Sequence, residues 1–276
     1  MNITASAVNE LRKATGAGMM ECKKALQESN GDMEAAIDVL RKKGAAKAAK
    51  RADREAAEGL AIAVSNDDNS IGVIVEVNCE TDFVAKNDDF ISFAKDLASF
   101  ALENAPADLD ALKASSFDGK SIADVLIEKT AVIGEKIDIS NYKKLQSEGV
   151  AAYNHANYRI GVLVALNQND EASLNAGRDV AMQIAAMNPI AVDETHVSEE
   201  IKNKELEIGR EQAKAEGKPE QILDKIAEGK LKKFYKENTL VHQAYVKDSS
   251  KTVGQFLKDT NSDLAVNEFS RVQLGA

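Results

Sequence analysis

A chain of 276 residues is too long for one minimal core, and its 44% hydrophobic content is that of an ordinary globular protein built as two or three structural units. With 5% aromatics and no Trp the core must be mostly aliphatic, and a formal net charge of −10 argues against a general binder of nucleic acid or of anionic membranes. Two cysteines make no disulfide framework, three histidines without ligand spacing make no His/Cys metal site, and no stretch approaches the roughly 18 apolar residues of a membrane span, so the reducing cytoplasm is the expected compartment.

Residues 1–44 read as three short helices. Thr4 can cap the first, with Val8 and Leu11 as its buried side and Gly16 after its end. The second runs from Met19 to Ser29, with Met19, Cys22, Ala25 and Leu26 at helical spacing, and stops at Asn30-Gly31. Asp32 caps the third, whose face is Met33, Ala36, Ile37 and Leu40; Arg41-Lys42-Lys43 suits the negative end of the helix dipole, and Gly44 is expected to close it. Over residues 41–54 seven side chains are basic (41, 42, 43, 47, 50, 51 and 54) and one, Asp53, is acidic, a local net of +6. This run reads either as a basic helical linker that meets a negatively charged partner or as a solvated helical tether, since Ala and Lys favour helix without packing.

A β-hairpin follows: Leu60 to Val64, the turn Asn66-Asp67-Asp68-Asn69, and the return strand Ile71 to Val77. Beyond a polar turn lie a helix from about Asp89 to Glu103, Pro106, a helix from Ser121 to Ile133, Gly134, and a strand from Ile137 to Tyr142. Then the chain repeats itself. Val150 to His155 is a strand, Ala156-Asn157 a turn and Arg159 to Leu166 the return strand, and Ile71-Gly72-Val73-Ile74-Val75 matches Ile160-Gly161-Val162-Leu163-Val164 at an offset of 89. Asp96 and Pro106 align with Asp179 and Pro189 at an offset of only 83, so the first copy carries six extra residues between strand and helix. Two hairpin-plus-helix units imply an α+β fold with a duplicated core.

After Pro189 the second copy is interrupted. Ser198 to Ala215 and Pro219 to Glu237 are long, charged and poor in apolar positions, joined by Glu216-Gly217-Lys218-Pro219; they read as an antiparallel helical hairpin suited to protein contacts rather than to core. A strand near Leu240 to Tyr245, a helix from Thr252 to Lys258 and a strand from Glu268 to Leu274 complete the copy.

Conventional chemistry finds little support. No phosphate loop and no G-x-G-x-x-G follows a strand. Cys79 has no histidine near it in sequence, and neighbouring carboxylates raise a thiol pKa. Glu76, Glu80 and Asp82 come from one segment, whereas a hard cation usually draws ligands from several. The six extra residues fall within Glu76 to Lys86, whose one large ring is Phe83. Phe83 either tucks under the turn as a plug or stands out as a binding anchor; the second copy has the same strand and helix without these residues, so the core does not require them.

At Glu76-Val77-Asn78-Cys79-Glu80-Thr81-Asp82-Phe83-Val84-Ala85-Lys86, and at Leu11-Arg12-Lys13-Ala14-Thr15-Gly16-Ala17-Gly18-Met19-Met20-Glu21-Cys22-Lys23-Lys24-Ala25-Leu26, the sequence resembles the bacterial elongation factor Ts family, exchange factors for the GTPase elongation factor Tu. The resemblance runs over essentially the whole chain, including Arg159 to Val164 and Ser250 to Gln255. It implies a ubiquitin-associated-like three-helix domain with the basic linker (1–54), core subdomains (55–143; 144–196 with 238–276) and an inserted coiled coil (197–237) that is a candidate for self-association. It also implies a protein that promotes GDP release without covalent chemistry, cofactor, direct nucleic-acid contact or membrane. Thr81, Asp82, Phe83 and Val84 would form the exchange wedge, with Phe83 entering an apolar gap of the GTPase domain and Asp82 disturbing its Mg²⁺. Arg12, Met19, Met20 and Lys23 would grip a helix of that domain, and His155 would face a second partner domain. Relatives often carry a further C-terminal helix that packs on the GTPase; this chain stops at Ala276, and that contact is not expected of it. The competing classes are a binding module without exchange activity, an RNA-associated factor using residues 41–54, and a thiol enzyme using Cys79.

Overall fold

The computed structural model describes residues 3–276. The chain forms two compact units, one made of Met1–Ile62, Val75–Lys143 and Gln273–Ala276, the other of Ala63–Ile74 and Lys144–Val272. Helix and sheet are mixed in the manner of an α+β protein.

The first unit begins with α1 (Ala5–Thr15), α2 (Met19–Glu28) and α3 (Met33–Ala49). Local chemistry sets their ends. The Thr4 hydroxyl accepts from the Ala7 amide, the Asp32 carboxylate accepts from the Ala35 amide at 2.8 Å, and Gly16 takes the left-handed conformation at φ 68°. Val8, Leu11, Cys22, Ala25, Leu26 and Ala36 make a thin core, with Met33, Ile37 and Leu40 packed beside it. Two expectations are corrected. Met19 does not join that core: it is 53% exposed, because the first turn of α2 points it outward. Gly44 does not end α3, which continues through it for five more residues to Ala49. A Cβ at Gly44 would stand 2.9 Å from the Ala131 Cβ, so this glycine permits a close approach of two helices.

Along the chain there follow β1 (Glu58–Ser65) and β2 (Ile71–Cys79), whose hairpin end Ala63–Ile74 belongs to the second unit, then α4 (Asp82–Ala85), α5 (Asp88–Asn104), α6 (Leu109–Ala114), the two-residue strands β3 (Ser116–Phe117) and β4 (Lys120–Ser121), α7 (Ile122–Ile133) and β5 (Asp138–Gln146). The sheet order is β1-β2-β5. Helix α6 and the β3-β4 ribbon lie where the sequence reading placed nothing regular; six and two residues are too few to display a periodicity.

The second unit contains β6 (Gly149–His155) and β7 (Ile160–Leu166), antiparallel with Gly149 opposite Leu166 and His155 opposite Ile160. Then follow α8 (Glu171–Met187), α9 (Glu199–Ala215), α10 (Leu223–Asn238), β8 (Ala244–Tyr245), β9 (Asp248–Thr252), α11 (Val253–Thr260) and β10 (Val266–Gln273), which pairs in the order β10-β7-β6. Val162, Val164 and Leu166 meet Val180 and Ile184 of α8 in an aliphatic core. Helices α9 and α10 form the expected antiparallel pair, and their seam is thin: only Gly209, Ala213, Ala227 and Leu231 are buried. A Cβ at Gly209 would stand 3.0 Å from the Ala227 Cα, so the two backbones nearly touch. The strand expected at Leu240 to Tyr245 is instead a single 3-10 turn, Leu240–His242, before β8. Leu240 is fully buried, and the Leu240 and Val241 amides donate to the Ala191 and Val192 carbonyls, so this segment pairs with an irregular stretch and cannot extend a regular strand.

Helices α5 and α8 are both 17 residues long, with N-caps Asn87 and Asp170 and left-handed C-caps Ala105 and Asn188. Both pairs of caps lie 83 positions apart, against 89 for the matched strand residues. The six additional residues are therefore spent at the end of β2 and on α4.

Gly44→Leu should lower the stability of the chain by about 1–3 kcal/mol, the usual range for forcing side-chain volume into a closed contact. Urea unfolding followed by circular dichroism measures this, and an unchanged midpoint would show that α3 and Ala131 have room to part.

Candidate functional site

Strand β2 is buried from Gly72 to Cys79, and its last residues set the direction of the turn that follows. Within the strand, the buried Glu76 carboxylate accepts from the Asn78 amide nitrogen at 2.9 Å and from Asn141 at 2.6 Å. The Cys79 thiol is buried and donates to the Thr81 carbonyl at 3.2 Å. Burial, reinforced by the nearby Glu135 charge, pushes this thiol up to about 12, so it stays protonated and unreactive at neutral pH.

Glu135, in the loop after α7, holds the turn itself. Its carboxylate accepts from the Glu80 amide at 3.1 Å, the Thr81 amide at 3.0 Å and the Thr81 hydroxyl at 2.7 Å. Thr81 in turn accepts from the Val84 amide at 3.4 Å and so caps α4. Ala85 is buried under this helical turn and Val84 is half-buried. Phe83 is 83% exposed: the ring stands out and does not plug the turn. A groove of about 860 Å³ opens beside it, with Phe90, Phe93, Phe117 and Ile133 among its walls. Asp82 is half-buried and receives Lys86 Nζ at 2.6 Å; that hydrogen bond holds its carboxyl below the usual range.

Arg12, Met19, Met20 and Lys23 are all exposed on α1 and α2 of the same unit, the two methionines at 53% and 63%. His155 belongs to the second unit, at the end of β6, where its Nδ1 lies 3.0 Å from the Tyr153 hydroxyl. Among the described residues no three His, Cys, Asp or Glu are grouped so as to hold a metal ion, and no helix is long and apolar enough to cross a membrane.

Much of the basic stretch is paired within its own fold. Arg41 pairs with Glu128, Lys43 with Glu28, Lys47 with Glu21, and Arg51 and Arg54 with Glu80, all within the first unit. Five of its seven cations thus have a carboxylate partner within their own unit, which lowers the net charge of the stretch. The acceptors are scattered along the sequence, so a local charge count could not reveal them.

The family profile of elongation factor TS matches residues 80–276, from the bracing carboxylate Glu80 to the end of the chain. The chain belongs to the elongation factor Ts family. It is 52% identical over 273 residues to elongation factor Ts of Christiangramia forsetii and 49% identical over 273 residues to that of Flavobacterium psychrophilum, each pairing covering 99% of both proteins. Elongation factor Ts of Thioalkalivibrio sulfidiphilus is 47% identical over 278 residues, covering this whole chain and 93% of that protein.

Sequence reasoning missed Glu135 as part of the site. The only signal was its place just after a helix-ending glycine, which carries no indication of its partners. Glu80, weighed in the sequence only as a cation ligand beside Glu76 and Asp82, has a side chain only 14% exposed that accepts from the Lys136 amide at 2.7 Å and from Arg51 at 2.7 Å. Burial opposes its charge, but the Lys136 amide and the Arg51 guanidinium outweigh that and hold its carboxyl below the usual carboxylate range. A lowered folded-state pKa contributes stability that is full above the unfolded value and is lost as pH falls through the folded one. The stability difference between the wild type and Glu80→Gln should therefore be constant from pH 7 to about 5.5 and shrink as pH falls below about 4.5. Urea titrations at several pH values measure it, and a difference that grows with acidification would contradict the pairing.

Proposed function

We propose that this chain is a guanine-nucleotide exchange factor for elongation factor Tu in translation elongation. The observation that carries the reading is Phe83, a ring 83% exposed on a braced turn that the repeated scaffold does not need. A single exposed ring is common on protein surfaces, but one held out on a braced turn beside an apolar groove has the form of an anchor for a partner. Phe83 enters an apolar gap in the GTPase domain, and Asp82, delivered with it, perturbs the Mg²⁺ that neutralises the phosphates. Thr81 and Val84 set the pitch of the turn. Arg12, Met19, Met20 and Lys23 grip a helix of the same domain, and His155 faces a second domain of the partner.

The energetics are those of linkage. A factor that binds the nucleotide-free GTPase more tightly than the loaded form weakens nucleotide binding by the same ratio. Burying one Phe contributes about 1.5–3 kcal/mol, or about 10- to 150-fold in an equilibrium. No covalent bond changes, so the protein catalyses exchange without bond chemistry. In this reading residues 1–54 are a ubiquitin-associated-like domain and its linker, residues 55–143 and 144–196 with 238–276 are duplicated core subdomains, and residues 197–237 are a coiled coil open to self-association.

Phe83→Ala should slow GDP release from the partner about 10- to 100-fold at saturating factor, given the burial estimate above. Its thermal unfolding should be unchanged, since an exposed side chain contributes within about 0.5 kcal/mol. Stopped-flow release of a fluorescent GDP analogue measures the first and circular dichroism the second. A wild-type release rate from the mutant would remove the wedge.

A further inference from the structure

We propose that Arg51, Arg54 and Lys136 are positioning residues for exchange, closing a clamp that aims the Asp82-Phe83 turn. The inference rests on the exchange reading above and assigns the end of the basic stretch a task within it.

Helix α4 has four residues, Asp82–Ala85. A single turn of helix is unstable by itself, so its direction must be imposed by its surroundings. On one side is the Glu135 carboxylate, which accepts from both amides at the start of the turn and from the Thr81 hydroxyl. On the other side is Glu80, which reaches back to the end of the basic stretch. Its Oε1 accepts from Arg51 at 2.7 Å and from the Lys136 amide at 2.7 Å, and its Oε2 accepts from Arg54 at 3.3 Å. Lys136 then closes the circuit: its Nζ donates to the Ala52 carbonyl at 2.7 Å and to the Arg54 carbonyl at 3.0 Å. Three segments distant in sequence (51–54, 80–81 and 135–136) are thereby tied through two carboxylates, and all belong to the first unit.

The position of this circuit gives it a consequence for exchange. Residues 51–54 follow α3 within a few positions, and Glu80 is three residues before Phe83. The clamp therefore fixes the spacing between the exposed face of α1 and α2 and the exposed ring, both of which must meet one partner. Fixing that spacing in advance removes an ordering cost from the transition state for nucleotide release. The Arg51–Glu80 pair is screened from water, with side chains 30% and 14% exposed, so it holds a geometry better than a surface pair would. They act through the backbone of the turn.

The test is GDP release from the partner GTPase over a range of concentrations of the full-length factor, comparing wild type, Arg51→Ala/Arg54→Ala, Phe83→Ala and the triple variant. The arginine pair should lower the maximal release rate about 5- to 50-fold, with a much smaller change in the half-saturating concentration, because displacement of a reacting group by about an ångström can cost on the order of 100-fold. In the Phe83→Ala background the same pair should have almost no effect, since both changes act through one element. Arg51→Lys/Arg54→Lys, which keeps the charges, should recover part of the rate, and it carries the test if the alanine pair fails to fold. A wild-type maximal rate from the arginine pair, or an effect that multiplies in full with Phe83→Ala, would overturn the clamp while leaving the wedge intact. If Phe83→Ala itself releases GDP at the wild-type rate, it is the exchange reading that fails.

Discussion

The turn between β2 and α5 depends on two carboxylates. Glu135 accepts from the Glu80 and Thr81 amides that lead into α4, and Glu80 receives an amide and two guanidinium groups from elsewhere in the unit. Hydrogen bonds to charged acceptors are the stronger kind, worth about 1.5–3 kcal/mol each where they are screened from water. Without them the four residues of α4 would sample many directions, because a single helical turn is unstable by itself.

The same arrangement explains how an exposed phenylalanine is compatible with a stable protein. The ring adds nothing to the core, and the turn that bears it is held by polar contacts around its base and by the buried Ala85. Stability and presentation are thus separated: aliphatic packing in the sheets and in α5 and α8 supplies the first, and a charged network supplies the second. Cys79 lies at the join. Its thiol is buried, hydrogen-bonded to the Thr81 carbonyl and kept protonated, which makes it a structural residue in the middle of a signature that looks reactive on paper.

Close approach is the second constraint. Gly44 against Ala131, Gly177 against Leu166 and Ala151, and Gly209 against Ala227 are all places where an added Cβ would meet a neighbour at about 3 Å or less. In a chain with few aromatics, bringing backbones together at glycine increases the dispersion contact per residue.

What was legible in the sequence was local. Thr4, Asp32, Ser198 and Thr252 were readable as helix starts because a cap bonds a backbone group two or three residues away. The six-residue difference between the two copies was readable because it is arithmetic on one chain, and it singled out the segment that bears Phe83. Three things were decided only by tertiary structure: that Phe83 faces solvent, that Gly44 sits inside a helix, and that much of the basic stretch is paired from within. Arg51 and Glu80 are 29 positions apart and Glu135 is 55 positions from Glu80. Charge and propensity describe a residue's own neighbourhood along the chain, whereas a salt bridge or a helix crossing is chosen by the residues that folding brings to it.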